Sequence, residues 1–330
     1  MKKFHEYYNN IIIIDNLLRA WEVFVQDKKK REDVALFQAH LMDNVMDLQM
    51  SLAEKTYIHG AYHAFTISDP KPRQIHKATV RDRLLHHLLY QELYWYFDRQ
   101  YIYDSYSCRV AKGTHRAIYQ FATYGRQVSR NNSRTCYVLK CDIRKFFASI
   151  DHGILKSILA RYVQDSDILW LLSQVIDSFH TDGRPKVGLP LGNLTSQLLV
   201  NVYMNEFDQY VKRRLQVRNY IRYADDFVVI DKCKEYVETL LLLFKQFLDE
   251  HLHLSLHPDK VFIKTLASGV DFLGWVHFPR HRVLRTSTKC RMVRRLKEFP
   301  SKESIASYRG LLKHGNTHKL LLQNLQNTLG

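Results

Sequence analysis

Two adjacent acids, Asp225 and Asp226, interrupt an apolar run that opens Tyr220-Ile221-Arg222-Tyr223-Ala224 and closes Phe227-Val228-Val229-Ile230. Burying a carboxylate is costly unless it is paired, hydrogen-bonded or bound to a metal. Side chains alternate faces along a strand, so both acids cannot meet one ligand from a continuous strand. A tight turn over residues 223–226, between strands at 219–222 and 227–230, releases both carboxylates at its tip. Asp142 closes a second apolar strand, Tyr137-Val138-Leu139-Lys140-Cys141-Asp142. Three such carboxylates can hold two Mg²⁺ ions about 3.5–4 Å apart, with Mn²⁺ as a substitute, as phosphoryl transfer requires. The bland alternative is a solvated hairpin turn, where Asp is common.

The elements that must position these acids follow from periodicity. Apolar residues recur at helical spacing from Ile11 to Glu54 and again from Thr79 to Tyr96. Residues 64–68 and 73–75 flank a Pro-rich turn and read as two strands. Asp151 suits the N-cap of a helix after the Asp142 strand. A long helix is expected from Thr195 to Leu215 after the loop Gly188-Leu189-Pro190-Leu191-Gly192, and another from Tyr236 to Leu252. Strands are expected at 261–265 and 272–276, and a basic helical tail from Arg280. This order predicts an α+β fold on an antiparallel sheet, without βαβ repeats.

The 330 residues carry 49 Lys and Arg against 33 Asp and Glu, a net charge of +16, which points to a polyanionic partner. No apolar run approaches the ~20 residues of a membrane span, and the start is a poor signal peptide, so a cytoplasmic location is expected. Cys108, Cys136, Cys141, Cys233 and Cys290 form no CxxC pair, which favours a reducing compartment. Four HxxxH pairs (His59/His63, His253/His257, His277/His281, His314/His318) lack further ligands nearby, so packing or surface roles are expected.

Tyr223-Ala224-Asp225-Asp226 resembles the YxDD box of reverse transcriptases, and other boxes of that family follow in order. Lys140-Cys141-Asp142-Ile143-Arg144-Lys145-Phe146-Phe147 looks like the box with the first catalytic aspartate. Gly188 to Gln197 looks like the template- and nucleotide-facing loop. Leu254 to Lys260 and Phe272-Leu273-Gly274-Trp275 resemble the last palm boxes, the latter being the primer grip. Lys71-Pro72-Arg73 and Asp82-Arg83 match the fingers. The resemblance implies a right-hand polymerase: N-terminal helices and fingers over 1–135, palm over 136–278 with a fingers contribution near 160–187, and a basic helical thumb over 279–330.

Leu191-Gly192 and Ser196-Gln197 stand where intron and retroviral enzymes usually carry Gln-Gly and Ser-Pro. That departure is similar to the reverse transcriptases of diversity-generating retroelements. So are the stretch from Ser105 to His115 and the tail from Tyr308 to Thr317. The resemblance implies cDNA synthesis on a template-repeat RNA, with errors at adenines. It also implies dNTPs, an RNA/cDNA duplex and a small basic oligomeric accessory protein as partners.

By resemblance, Asp142, Asp225 and Asp226 are the catalytic and metal-binding acids, with Ile143 adding its backbone to the metal site. Lys71 and Arg73 grip the triphosphate, where cationic hydrogen bonding suits phosphate. Gly192 and Lys260 also face the nucleotide. Phe147 lies under the sugar and excludes a ribose 2′-hydroxyl, while Phe146 belongs to the core. Leucine at 191 cannot supply the hydrogen bonds of the usual glutamine, and recognition by shape alone discriminates less. Ser196, Gln197, Tyr223, Phe272, Leu273 and Gly274 are expected along template and primer. From Arg280 to Lys297 there are eight Lys or Arg and no acid. Arg291, Arg294 and Arg295 share one helical face there that can track a nucleic-acid backbone. Competing readings are an intron- or retron-like enzyme, and a catalytically silent RNA-binding scaffold or defence factor.

Overall fold

The computed structural model describes residues 3–68, 72–298 and 301–317. Helices α1 (Tyr8–Ile11), α2 (Ile14–Val25), α3 (Glu32–Ala39) and α4 (Leu41–Ala53) come first, then strands β1 (His63–Ile67) and β2 (Arg73–Lys77). Helices α5 (Val80–Asp98) and α6 (Thr114–Val128) precede β3 (Tyr137–Asp142), which α7 (His152–Tyr162), α8 (Ser166–Asp177) and α9 (Leu194–Gln209) follow. Then come β4 (Tyr220–Tyr223), β5 (Asp226–Asp231), α10 (Lys234–Leu252), β6 (Phe262–Thr265), β7 (Val270–Phe272), β8 (Trp275–His277) and β9 (Arg282–Leu284). Helices α11 (Thr286–Glu298) and α12 (Lys302–Leu312) are last. Among the described residues no helix is long and apolar enough to cross a membrane, and the five cysteines are free thiols.

The chain divides into two compact units, each assembled from separated segments. One takes Met1–Tyr103, Arg144–Leu215 and Phe247–Ser255. Its β1 and β2 pair antiparallel with Phe65 opposite Ile75. Thr79 caps α5 by accepting the Asp82 N–H at 3.2 Å, and α5 buries Leu84, Leu85, Leu88 and Leu89 with α2 and α9 packed on it. Asp151 caps α7 as expected, accepting the Ile154 N–H at 3.0 Å. The helix expected to reach Leu215 does so by widening into a π-helical turn over Tyr210–Arg214.

The other unit takes Asp104–Ile143, Gln216–Gln246 and Leu256–Gly330. Its main sheet is antiparallel in the order β4-β5-β3-β6. Val228 and Ile230 of β5 pack with Phe121 of α6 and Phe272 on one face, while Phe227 meets Phe244 of α10, ring centroids 5.9 Å apart, on the other. Both faces are covered, which is why this strand reads as a continuous apolar run.

A second sheet has the order β7-β8-β9. The single strand expected over 272–276 is instead a hairpin. Its two-residue turn, Leu273-Gly274, has φ of +51° and +84°, the left-handed pair that matches strand twist. The tail expected to be helical from Arg280 begins with β9, because Val283 pairs with Val276; helix starts only at Thr286. Met292 and Leu296 of α11 pack with Trp275 and Leu312. A Cβ added at Gly315 would overlap the Trp275 ring, so only glycine lets the chain cross the indole there.

Candidate active site

The register of the main sheet brings the acids together. Asp142, the last residue of β3, lies opposite Asp226, the first of β5, and Asp226 also pairs with Tyr223. The turn is therefore shorter than expected. Only Ala224 and Asp225 form it, and Asp226 belongs to the strand rather than the tip. Ala224 adopts φ +54°, a left-handed conformation costing a non-glycine residue about 1–2 kcal/mol. That kink resolves the alternation problem by reorienting the chain between the two acids.

Arg222 holds the kink. Its guanidinium is fully buried and donates from Nη1 to the Ala224 carbonyl at 3.1 Å and from Nη2 to Ser105 Oγ at 3.1 Å. The backbone on either side is tied as well. Arg222 N–H donates to the Asp104 carbonyl and Tyr106 N–H to the Arg222 carbonyl, both at 2.9 Å. Tyr106 and Tyr124 donate to the Asp104 carboxylate at 3.2 and 2.7 Å.

Two lysines engage the acids. Lys140, two residues before Asp142 and nearly buried, donates to Asp226 Oδ1 at 2.7 Å. Lys260 donates to Asp142 Oδ1 at 2.8 Å. Burial, then the charges of Asp226 and Asp142, push the Asp225 carboxyl up to about 6. Burial raises Asp226 too, opposed by Lys140. Carboxylates that burial and then neighbouring like charge make resist ionisation are a mark of functional sites.

Among the described residues no group of three or more His, Cys, Asp or Glu is placed to hold a metal ion by itself. The donor set is nonetheless right for magnesium. It offers hard carboxylate oxygens on facing strand ends, and this ion is held by one or two carboxylates plus substrate phosphates rather than by an all-protein cage.

Around the acids in the same unit, the Ile143 N–H donates to the Asp225 carbonyl at 3.2 Å. Tyr223 Oη accepts from Thr114 at 3.2 Å. Phe272 is buried, and Leu273-Gly274 form the β7–β8 turn. On α11, Arg294 and Arg295 are exposed and Arg291 half-buried, while Met292 and Leu296 face the core.

The remaining expected site residues belong to the other unit. Phe147 is half-buried, packed edge-on against buried Phe146 with centroids 5.6 Å apart. The loop bearing Leu191 docks on β2: the His76 N–H donates to the Leu191 carbonyl at 3.0 Å, and Asn193 donates to the His76 carbonyl at 2.8 Å. Gly192, at φ +106°, leaves no room for a Cβ beside Ile75. Ser196 is buried and Gln197 half-buried on α9, and Arg73 is exposed at the start of β2. Lys71 lies outside the described residues.

Two residues at the acids were not singled out from sequence, Lys140 and Arg222. Each is a lone cation inside an apolar strand, an anomaly of the same kind as the paired acids, and that signal could have found them.

The profile of the reverse transcriptase (RNA-dependent DNA polymerase) family matches residues 68–277. Protein YkfC of Escherichia coli K12 is 26% identical over 274 residues, covering 72% of this chain and 70% of that protein. The Retron Ec73 reverse transcriptase of Escherichia coli is 28% identical over 154 residues, 41% of this chain and 46% of that one. A putative COX1/OXI3 intron 2 protein of Saccharomyces cerevisiae is 19% identical over 280 residues, 66% of this chain but 30% of its own length. Among solved structures, apo telomerase of Candida tropicalis superposes with a TM-score of 0.54 at 11% identity, over 70% of this chain and 55% of that one. That likeness concerns the fold, a right-hand polymerase with an antiparallel sheet and helices. With the family profile spanning the acids and the fold agreeing, the chain belongs to the reverse transcriptase family.

Proposed function

We propose that this chain synthesises DNA on an RNA template at Asp142, Asp225 and Asp226. The observation that carries the reading is the register that sets Asp142 opposite Asp226, with Asp225 one residue away in a kinked turn. Two Mg²⁺ ions, which the three carboxylates and the backbone at Ile143 would hold, would supply activation of a primer 3′-hydroxyl and neutralisation of the departing pyrophosphate. The chain's own part is to keep the acids preorganised. Arg222 fixes the turn, Lys140 favours the ionised form of Asp226, and Lys260 places a cation beside Asp142, where it can meet nucleotide phosphate. By resemblance, Arg73 and Lys71 grip the triphosphate, Phe147 selects deoxyribose, and Tyr223, Phe272 to Gly274, Ser196, Gln197 and the α11 arginines contact template and primer.

The finer reading is the reverse transcriptase of a diversity-generating retroelement, error-prone at adenines. Its support is Leu191, the Ser196-Gln197 pair and the stretch from Ser105 to His115. A basic accessory protein belongs to that reading. Met42, Met46 and Met50 stand exposed on one face of α4 beside exposed Asp43 and Asp47, an apolar and acidic face suited to a basic partner. A second reading, a retron- or intron-type enzyme, is favoured by the relatives matched.

The test is template-dependent dNTP incorporation with Mg²⁺, wild type against Asp225→Ala. Activity in the wild type alone supports the polymerase. Equal inactivity with every template, with and without a neighbouring accessory protein, supports the silent scaffold instead. Sequencing the cDNA separates the two finer readings: errors concentrated at template adenines favour the first, and faithful copies favour the second.

A further inference from the structure

The unit that carries the acids holds a cleft of about 820 Å³ between α6, the β8–β9 connection and the segment after α12. None of the three acids lines it. Leu266, in its wall, donates its N–H to the Cys136 carbonyl at 3.0 Å, at the start of β3. Asp142 ends the same strand, about 20 Å away at strand rise.

The lining is chemically one-sided. Arg126, Arg280 and Lys313 reach it with exposed heads, and among the described residues no acid lines it. None of these three forms an ion pair with a carboxylate among the described residues. Interleaved with them are flat rings. Phe278 and His281 stack at 4.9 Å with 15° between planes. Tyr119 is 49% exposed, and the Arg282 guanidinium lies 4.5 Å over its ring. His314 stacks on His115 at 3.6 Å, and its Nδ1 and the Tyr119 hydroxyl share a hydrogen bond at 3.0 Å. The Arg282 Nε–H donates to the His314 carbonyl, so the wall is braced without any ligand.

Exposed cations interleaved with rings in one lining are what an unpaired polynucleotide needs, phosphates on the cations and bases stacked on the rings. A duplex hides its base faces and would use only the cations. We propose that this cleft binds a single-stranded segment of nucleic acid, at a site separate from the catalytic acids. The assignment does not rest on the polymerase reading.

The test uses the full chain with its catalytic site occupied by excess unlabelled hairpin primer–template. Binding of a fluorescein-labelled 12-residue oligouridine is then followed by anisotropy across a salt series. The double variant Arg126→Gln/Lys313→Gln changes two exposed side chains. It should bind at least tenfold more weakly, with its log–log salt slope flattened by about 1 to 1.5, since each phosphate contact on a single strand contributes about 0.7. Extension of the hairpin by this variant should run at the wild-type rate. The inactive Asp225→Asn chain should still bind oligouridine, so failure of polymerase activity and failure of the cleft are separable. Unchanged affinity and slope in the double variant would overturn the proposal. So would an equal loss for a blunt RNA duplex, or loss of hairpin extension in parallel. A 4-thiouridine oligomer should crosslink to the peptides bearing Tyr119 or Phe278, and crosslinks confined elsewhere count against the site.

Discussion

Arg222, with none of its surface exposed, donates from Nη1 to the carbonyl of Ala224 at 3.1 Å. A buried guanidinium is tolerated only when its donors are satisfied. Here the second nitrogen reaches Ser105 Oγ, so the fork spans the catalytic turn and the segment entering from Asp104. The left-handed Ala224 and the position of Asp225 therefore depend on a side chain that points away from the chemistry.

Arg222→Lys tests that dependence. A single ammonium cannot span both acceptors. We expect kcat for primer extension to fall on the order of 10²-fold, as small misplacements of reacting groups do, while the KM for dNTP changes little. Steady-state extension with a parallel thermal melt checks this. Wild-type kcat in a folded variant would show that the turn holds itself.

Lys140 bears on the metal-free chain. Replacing it with methionine keeps much of its volume and leaves the Asp226 carboxylate without its 2.7 Å partner. Breaking a buried pair on one side costs about 3–5 kcal/mol, less where one partner is part-exposed. Lys140→Met should melt lower than wild type in EDTA and regain more stability on Mg²⁺ addition, because binding to the folded state offsets the unpaired charge. Equal Mg²⁺-induced shifts in both proteins would separate Lys140 from the metal site.

Among the contributions to stability against pH, two are opposed and separable by one substitution. In metal-free protein Asp225 titrates at about 6. The folded chain then keeps a proton that the unfolded chain releases above about 4, and this contribution to stability is lost as pH rises from about 4 to 6. His86, His87 and His277 act the other way, since burial lowers them to about 3, 4 and 3. The unfolded chain takes up their protons below about 6.5, so stability falls as pH drops. Asp225→Asn removes the first contribution and keeps the second. In EDTA the variant should be more stable than wild type at pH 7, by at most on the order of 3 kcal/mol, and should lose stability more steeply between pH 6.5 and 5. Urea unfolding across that range checks both; parallel slopes would mean that Asp225 is not raised.

The acids were legible because an isolated charge inside an apolar strand is a local anomaly, and Asp151 because a cap is a local motif. Helix α6 was not foreseen although Ala117, Ile118, Phe121 and Gly125, all buried on one face, carry helical spacing. Its polar residues dilute that pattern. Strand β9 was hidden because Arg282-Val283-Leu284 sits in a run of basic residues that otherwise reads as helix, and only pairing with β8 decides it. The kink at Ala224 and the reach of Lys140 and Arg222 are tertiary facts. They depend on which strand lies opposite, and no residue type records that.

Leu191 can be changed without unseating its loop, because its carbonyl rather than its side chain accepts from His76 at 3.0 Å. Leu191→Gln restores the hydrogen-bonding capacity that the leucine lacks. We expect misincorporation to fall roughly tenfold, within the 1–3 kcal/mol that such contacts supply in discrimination. Sequencing of cDNA made by both proteins on one RNA template measures it, and an unchanged error spectrum would place the source of infidelity elsewhere.

Phe147 is the last position with a clear readout. Its carbonyl accepts from the Leu189 N–H at 2.8 Å, so backbone bonding keeps the segment in place when the ring is removed. The ring is half-buried against Phe146, and Phe147→Ala should cost about 1–2 kcal/mol of stability from lost apolar burial. If the ring is what excludes a ribose 2′-hydroxyl, the variant should incorporate ribonucleotides roughly 10- to 100-fold better relative to deoxyribonucleotides. Single-nucleotide extension with matched rNTP and dNTP gives the ratio of kcat/KM values. A ratio that stays at the wild-type value, in a variant that still extends with dNTPs, would return Phe147 to the core alongside Phe146.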